Sequence, residues 1–298
     1  MKNQLVLAPM YRITDLPFRL LCRSLGAGLF YSEMVNSEAL IRNNKAAGHL
    51  AQTSAEDRPL AMQVFGARVE SMKKAAKTLL REKQFDFLDL NLGCPSDNVI
   101  NQGAGSALLK RPKRIVEIIS AWVDLDAVVT AKIRSSPNML HTIRLAKQIE
   151  KAGASCIAVH ARPVTQKNKG IVDLVAIKRV KKAVGIPVIG NGGVNDRFSF
   201  NRMLDKTGCD AAMVGTASIG NPGVFAEILG QKPLPREKAF LKYFELYKKH
   251  EIGYFGRLKT QAIKFFVGNK PFVVKLQAAK SAEELVGLVK SKKPPAKR

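Results

Sequence analysis

Eight short apolar or β-branched runs recur along this chain, most of them followed by a segment of helical patterning. The runs are Leu5–Ala8, Leu29–Ser32, Pro59–Phe65, Phe85–Leu92, Ala127–Ile133, Ser155–Ala161, Ile186–Gly192 and Asp210–Gly215. They are mostly continuous rather than alternating, as parallel strands covered on both faces should be. Amphipathic segments read most clearly at Val69–Lys83, Pro112–Val123, Leu140–Ala152, Leu174–Ala183 and Phe198–Lys206. Pro112 stands near a helix start, and Gly153 and Gly185 follow helix ends, where each residue type is favoured. Eight strand–helix alternations in about 230 residues predict an α/β fold, a closed (β/α)8 TIM barrel. A doubly wound open sheet is the alternative, and it usually uses fewer strands.

After Leu229 the rhythm stops. Helical patterning continues at Phe240–His250, Ala262–Phe266 and Ala282–Lys290, and the chain closes on SKKPPAKR, read as a disordered basic tail. The expected organisation is a barrel over residues 1–232 and a small C-terminal helical domain over 233–298. A length of 298 residues suits a barrel with an appendage, and 46% hydrophobic residues are enough to bury its core.

Charge narrows the choice of partner. The chain carries 49 Lys and Arg against 24 Asp and Glu, a net +25. From Lys232 to Arg298 there are 17 basic and 5 acidic residues, so the shorter C-terminal part is several times denser in positive charge. Such an excess favours a polyanion, because each phosphate neutralised releases condensed counterions. Solubility alone needs only a few charges of either sign.

Cys22, Cys94, Cys156 and Cys209 lie far apart, with no CxxC and no paired histidine. That pattern supports neither a zinc site nor a disulfide framework and fits a reducing cytoplasm. MKNQLVLAPM has too short an apolar run for a signal peptide, and no stretch approaches the ~18–20 apolar residues of a membrane span. A cytoplasmic monomer without metal or membrane is expected.

In a barrel of this kind chemistry sits where strands end, and phosphate is commonly held by the loops after strands seven and eight. The seventh run enters Gly190-Asn191-Gly192-Gly193, and the eighth enters Gly215-Thr216-Ala217-Ser218 before Gly220-Asn221-Pro222. Glycines let backbone N–H groups approach a phosphate closely; ordinary tight turns are the plainer reading. No GxGxxG follows a first strand, so a mononucleotide fits better than a dinucleotide. The other strand ends each deliver polar or special residues: Pro9 and Met10, Gln63, Asn91 and Cys94, Lys132 and Arg134, His160 and Arg162. A flavin ring asks for this mixture, an amide for its pyrimidine edge and a cation where the reduced ring is negative. Lys132 suits the second task, because Val129, Ala131 and Ile133 around it read as buried. A lone His160 at a strand end would more often be structural, and Arg162 two residues on makes a functional role at least as apt.

Cys94 stands in Asn91-Leu92-Gly93-Cys94-Pro95, in a turn that exposes its thiol over the barrel mouth, whereas the other three cysteines have apolar neighbours and read as buried filler. A thiol of pKa about 8.5 is mostly protonated at neutral pH and can give its proton up. A nucleophile would want an adjacent base, and none is spaced to serve.

With these residues assembled, the sequence resembles the dihydrouridine synthase family, from LAPMYRITDLPFR through SEMVNSEAL, QVFG, DLNLGCPSDNVINQGAGSALL, KIR, VHAR and NGGV to VGTASIGNP. The resemblance implies FMN, reduction by NADPH or NADH, and reduction of a tRNA uridine to dihydrouridine. It also implies flavin-binding positions at Pro9, Met10, Gln63, Lys132, His160, Asn191, Gly192, Gly193, Gly215 and Thr216, with Cys94 as proton donor and Asn91 beside the reacting base. The family usually has arginine where Thr216 stands. If that position acts through its backbone N–H, little is lost; if a guanidinium grips phosphate, FMN binds more weakly. Arg134 and Arg162 join Asn91 on the substrate side, but the segment ARPVTQKNKG departs from the family's wording, which leaves the substrate-side contacts of Arg162 to Lys169 open.

The expected chemistry adds hydride at C6 of uracil, conjugated through C5 to the C4 carbonyl, and protonates C5 from Cys94. The base must first leave the RNA stack, while basic residues hold the backbone. Two rivals stand beside this reading. One is an FMN barrel acting on a free pyrimidine, of the dihydroorotate dehydrogenase type, which has no need of the basic C-terminal segment. The other is a non-catalytic RNA-binding barrel that has lost its flavin.

Overall fold

Side chains alternate along each strand, and here the two sides of that alternation meet two different environments. In Val129–Arg134, Val129, Ala131 and Ile133 are fully buried against the surrounding helices, while Thr130, Lys132 and Arg134 point into the barrel. The computed structural model describes residues 3–167, 169–252 and 254–292. Its sheet has strands β1 (Leu5–Leu7), β2 (Leu29–Tyr31), β3 (Val35–Asn36), β4 (Leu60–Phe65), β5 (Phe87–Leu92), β6 (Val129–Arg134), β7 (Cys156–His160), β8 (Val188–Asn191) and β9 (Ala211–Val214). Every pairing is parallel. The order β2-β1-β9-β8-β7-β6-β5-β4 is closed by β2 against β4, giving a barrel of eight staves. The second stave comes in two pieces: β2 pairs with β4 at Phe30↔Leu60, the chain breaks, and β3 rejoins β4 at Val35↔Val64. The expected closed barrel is therefore present, and only the second piece of that stave escaped the run at Leu29–Ser32.

Two apolar layers stabilise it. The larger lies between strands and helices. The smaller fills the barrel itself with Val6, Ala8, Leu29, Tyr31, Ala61, Ala158, Ile189, Ala211 and Met213. Inward positions nearer the C-terminal strand ends are polar instead: Gln63, Asp89, Asn91, Lys132, His160 and Asn191. One end of the interior is thus a packed plug and the other a polar floor, which fixes where a ligand can sit.

The helices at Val69–Glu82, Pro112–Val123, Met139–Lys151, Leu174–Ala183 and Arg197–Thr207 match the amphipathic segments to within a residue. Four helices follow the barrel: Arg236–Lys249, Phe255–Phe265, Lys270–Ala278 and Ala282–Ser291. The second begins seven residues before the Ala262 read from sequence, because Gly256 in its first turn weakens the pattern there. The third went unread; Asn269 caps it by accepting the Phe272 N–H, and Pro271 lies in its first turn. These helices are seated on the barrel by buried polar links. The Tyr243 hydroxyl donates to Asp15 at 2.9 Å, Gln261 Nε2 donates to the Ile13 carbonyl at 2.7 Å, and Arg257 pairs with Glu33. Of the expected disordered tail, Ser291 closes the last helix and Lys292 pairs with Glu237; residues 293–298 lie outside the described residues. Among the described residues no helix is long and apolar enough to cross a membrane.

Candidate active site

All fourteen residues singled out from the sequence line one cavity of about 770 Å³ at the C-terminal ends of the strands. Pro9 and Met10 follow β1, Gln63 is on β4, Asn91 on β5, Lys132 and Arg134 on β6, His160 on β7 and Asn191 on β8. Cys94, Arg162, Gly192, Gly193, Gly215 and Thr216 come from the loops that leave β5, β7, β8 and β9. Sequence reasoning missed Met34, Tyr11, Arg12 and Asn195 in the same wall, and Thr260 and Lys264 from the C-terminal helices.

Beneath the cavity runs a chain of side-chain hydrogen bonds. Thr130 Oγ1 donates to Asp89 Oδ1 at 2.7 Å, and Gln63 Nε2 donates to Asp89 Oδ2 at 2.7 Å. Asn91 Nδ2 then donates to Gln63 Oε1 at 2.7 Å. The free end of Asn91, its Oδ1, accepts the main-chain N–H groups of Gly93 at 3.2 Å and Cys94 at 3.0 Å. A primary amide has one donor end and one acceptor end. An acceptor at Asp89 therefore orients Gln63, which orients Asn91, which presents an acceptor to the cysteine loop. Both ends of the Gln63 and Asn91 amides are engaged inside the protein. Asp89 is wholly buried, and burial lifts its carboxyl to about 6. It went unremarked in the sequence because a lone aspartate inside an apolar run gives no spacing signal.

Opposite Asn91 lies a cluster of cations. Lys132 Nζ donates to Asn191 Oδ1 at 3.1 Å, and Asn191 Nδ2 in turn donates to the Met213 carbonyl at 3.0 Å. Burial, then Arg134, pulls the Lys132 ammonium down to about 8. Arg134 Nε donates to the Gly93 carbonyl at 2.7 Å and a second nitrogen reaches the Lys167 carbonyl, so it staples the cysteine loop to the loop after β7. Arg162 donates to the Gly170 carbonyl and lies 3.3 Å from the His160 ring. Burial, together with Lys132, Arg134 and Arg162, pushes His160 down to about 2, so its ring is neutral at physiological pH.

Cys94 is half-buried at the cavity wall, and burial raises its thiol above the usual range despite the Ser96 N–H and the nearby cations. It is protonated at neutral pH. Of the other cysteines, Cys22 and Cys209 are buried as expected. Cys156 departs from that expectation: it is only half-buried, because it opens β7 at the far end of the barrel from the cavity.

The loops after β8 and β9 supply donors without acceptors. Among the described residues the N–H groups of Gly192, Gly193, Gly215 and Thr216 have no partner. Gly192 and Gly193 have φ of 119° and 71°, a region that L side chains rarely adopt, and a Cβ on Gly193 would lie 3.0 Å from Val172. Four unsatisfied N–H groups around one cavity end suit a phosphate-bearing ligand. Among the described residues no cluster of three His, Cys, Asp or Glu could hold a metal.

Residues 6–265 match the family model described as dihydrouridine synthase. The chain belongs to the dihydrouridine synthase family. It is 36% identical over 251 residues to tRNA-dihydrouridine synthase B of Pseudomonas aeruginosa, covering 80% of this chain and 75% of that one. To the probable tRNA-dihydrouridine synthase of Aquifex aeolicus it is 35% identical over 230 residues, covering 76% and 72%. To tRNA-dihydrouridine synthase B of Proteus vulgaris it is 37% identical over 231 residues, covering 76% and 71%. Among solved structures, the Amycolatopsis orientalis BexX/CysO complex superposes with a TM-score of 0.51 at 17% identity, over 83% of this chain and 92% of that one, a likeness of fold alone.

Proposed function

We propose that this chain is an FMN-dependent tRNA-dihydrouridine synthase, reducing the C5=C6 bond of a tRNA uridine. The observation that carries the reading is the meeting, in one cavity, of a protonated thiol, a buried cation cluster and the N–H cradle of the two glycine loops. The donor set fits the mononucleotide: the N–H groups of Gly192, Gly193, Gly215 and Thr216 would take its phosphate, Lys132 its pyrimidine edge, and Pro9 and Met10 one edge of its ring. When bound and reduced by NADPH or NADH, that group supplies hydride to C6 of the uracil.

The protein's own residues do the rest. Cys94 gives its proton to C5 as negative charge develops on the uracil, and the raised thiol keeps that proton available at neutral pH. Asn91 acts by positioning: its Oδ1 holds the Gly93 and Cys94 amides, and so the thiol, in place over the cavity. Lys132, on the order of half protonated or more at pH 8 and below, offers positive charge where the reaction's negative charge gathers. Neutral His160 acts as a hydrogen-bonding group and not as a second cation. The basic excess, densest from Lys232 to Arg298, attracts the RNA backbone without reading sequence. A tRNA substrate of this kind fits work in the cytoplasm.

The test uses purified protein, NADPH and an unmodified tRNA transcript, with dihydrouridine read by mass spectrometry of the digested RNA. The expected outcome is a yellow protein that forms dihydrouridine in tRNA and leaves free uracil untouched. A colourless preparation that binds no FMN, or turnover of free uracil or dihydroorotate without any on tRNA, would overturn the proposal.

A further inference from the structure

We infer that Lys264, carried by the C-terminal helices and not by the barrel, is the cation of the cofactor's phosphate subsite; this rests on the flavin mononucleotide reading above. The helix Phe255–Phe265 lies with its last turn against the turn that follows β9. At Gly220, where φ is 66°, an added Cβ would fall 2.0 Å from the Lys264 carbonyl oxygen, so the two main chains are in direct contact. The rotation of the helix is fixed by Gln261, wholly buried, whose Nε2 donates to the Ile13 carbonyl at 2.7 Å. Thr260 and Lys264, four residues apart, share one face of that helix, and both line the cavity, whose wall also includes Thr216 and Ile219 of the chain leading into Gly220.

A phosphate monoester carries about −1.5 to −2 charges at neutral pH. The loops at 190–195 and 214–222 contain no lysine or arginine, so the barrel alone meets that charge with N–H dipoles. The cavity's other basic groups are engaged elsewhere: Lys132 bonds Asn191, Arg134 and Arg162 bond main-chain carbonyls, and the Arg12 guanidinium lies over the Tyr11 ring. Lys264 is exposed and, among the described residues, forms no ion pair. A flexible ammonium on the rim beside unsatisfied amides is the arrangement in which a full charge completes an anion site. The C-terminal helices then have a second task beside attracting RNA: they close the cofactor site.

The experiment titrates FMN and riboflavin, which differ by the phosphate alone, against flavin-free full-length protein and its Lys264→Ala and Lys264→Arg variants, by quenching of flavin fluorescence. Lys264→Ala should weaken FMN by about tenfold and leave riboflavin within about twofold. Lys264→Arg should restore FMN. The preference for FMN over riboflavin should fall with added salt in the parent and much less in Lys264→Ala. An unchanged FMN-to-riboflavin ratio in Lys264→Ala overturns the inference and leaves the proposed function standing. That includes the case where only tRNA binding weakens, the lysine then serving an RNA phosphate. Failure of the parent to bind either flavin removes the reading of the site and this inference with it.

Discussion

The side-chain oxygen of Asn91 accepts the main-chain N–H of Cys94 at 3.0 Å, so the loop that presents the thiol is tied to a strand and not left to its own flexibility. Replacing Asn91 by Ala removes that acceptor, and the one for Gly93, while leaving the thiol and the glycine loops intact. Single-turnover reaction of reduced enzyme with tRNA should slow by about a hundredfold, the scale set by a misplacement of about 1 Å. FMN affinity should change little. An Asn91→Ala variant with parental turnover would show that the cysteine loop needs no such tie.

The direction of every amide in the chain from Thr130 to Cys94 is set at Asp89, and this distinguishes two substitutions there. Asp89→Leu strips the acceptor from Gln63 Nε2 at a wholly buried site and frees the Gln63 amide to turn. A loss of about 1–3 kcal/mol of stability is expected for the orphaned donor, together with slower turnover. Asp89→Asn should be far milder. Its oxygen can face Gln63, and its NH2 can face Thr130, whose hydroxyl turns from donor to acceptor. Urea unfolding and turnover of the two variants check this; equal damage from both would show that the carboxylate itself, not the polarity of the chain, is what matters.

Much of this architecture was legible in the sequence, and the gaps have identifiable causes. Strands covered on both faces and amphipathic helices leave periodic signals, which is why β4 to β9 and the five major helices fall where the runs placed them. The strand ends were also readable, since a barrel sends its inward residues there to a common cavity; Lys132 and Cys94 needed no more than that. What failed to show was anything carried by tertiary contact. Val35–Asn36 is too short to have a period, and the helix Lys270–Ala278 has a proline in its first turn and lacks a clear stripe. Asp89 hides in an apolar run, and Lys264 approaches the site from far past the last strand, which ends at Val214, through a helix whose first turn holds a glycine. The amide ends of Gln63 and Asn91 are likewise fixed by neighbours that no spacing reveals.

Turnover should respond to alkali through Cys94. Burial raises the thiol, so the proton it donates is retained through neutral pH and is lost only as pH rises past the ordinary thiol range of about 8.5. The rate of tRNA reduction by pre-reduced enzyme should therefore be flat from about pH 7 to 8.5 and decline above that. Cys94→Ala should lower this rate by about 10²–10⁴ across that flat region and less above it, with no such decline of its own, while flavin reduction by NADPH stays at the parental rate. A parental pH profile in Cys94→Ala would remove the thiol from the reaction.

Lys132 makes a prediction about stability that does not depend on catalysis. Its folded value of about 8 lies below the ordinary 10.4 of an unfolded chain, because burial and then Arg134 disfavour the ammonium. For such a depressed base, the unfolded chain binds the proton more tightly. The fold therefore gains stability as pH rises from about 8 to 10.4, and loses it as pH falls back through 8. Lys132→Met removes this dependence, along with a pH-independent hydrogen bond to Asn191. In flavin-free protein, the stability of Lys132→Met relative to the parent should be greatest near pH 7. It should then decline across the window by on the order of 1.4 kcal/mol per pH unit at the steepest. Urea unfolding at pH 7 and pH 9.5 measures the slope. A difference between the two proteins that is the same at both values would mean that Lys132 titrates as an ordinary surface lysine and carries no buried charge into the cavity.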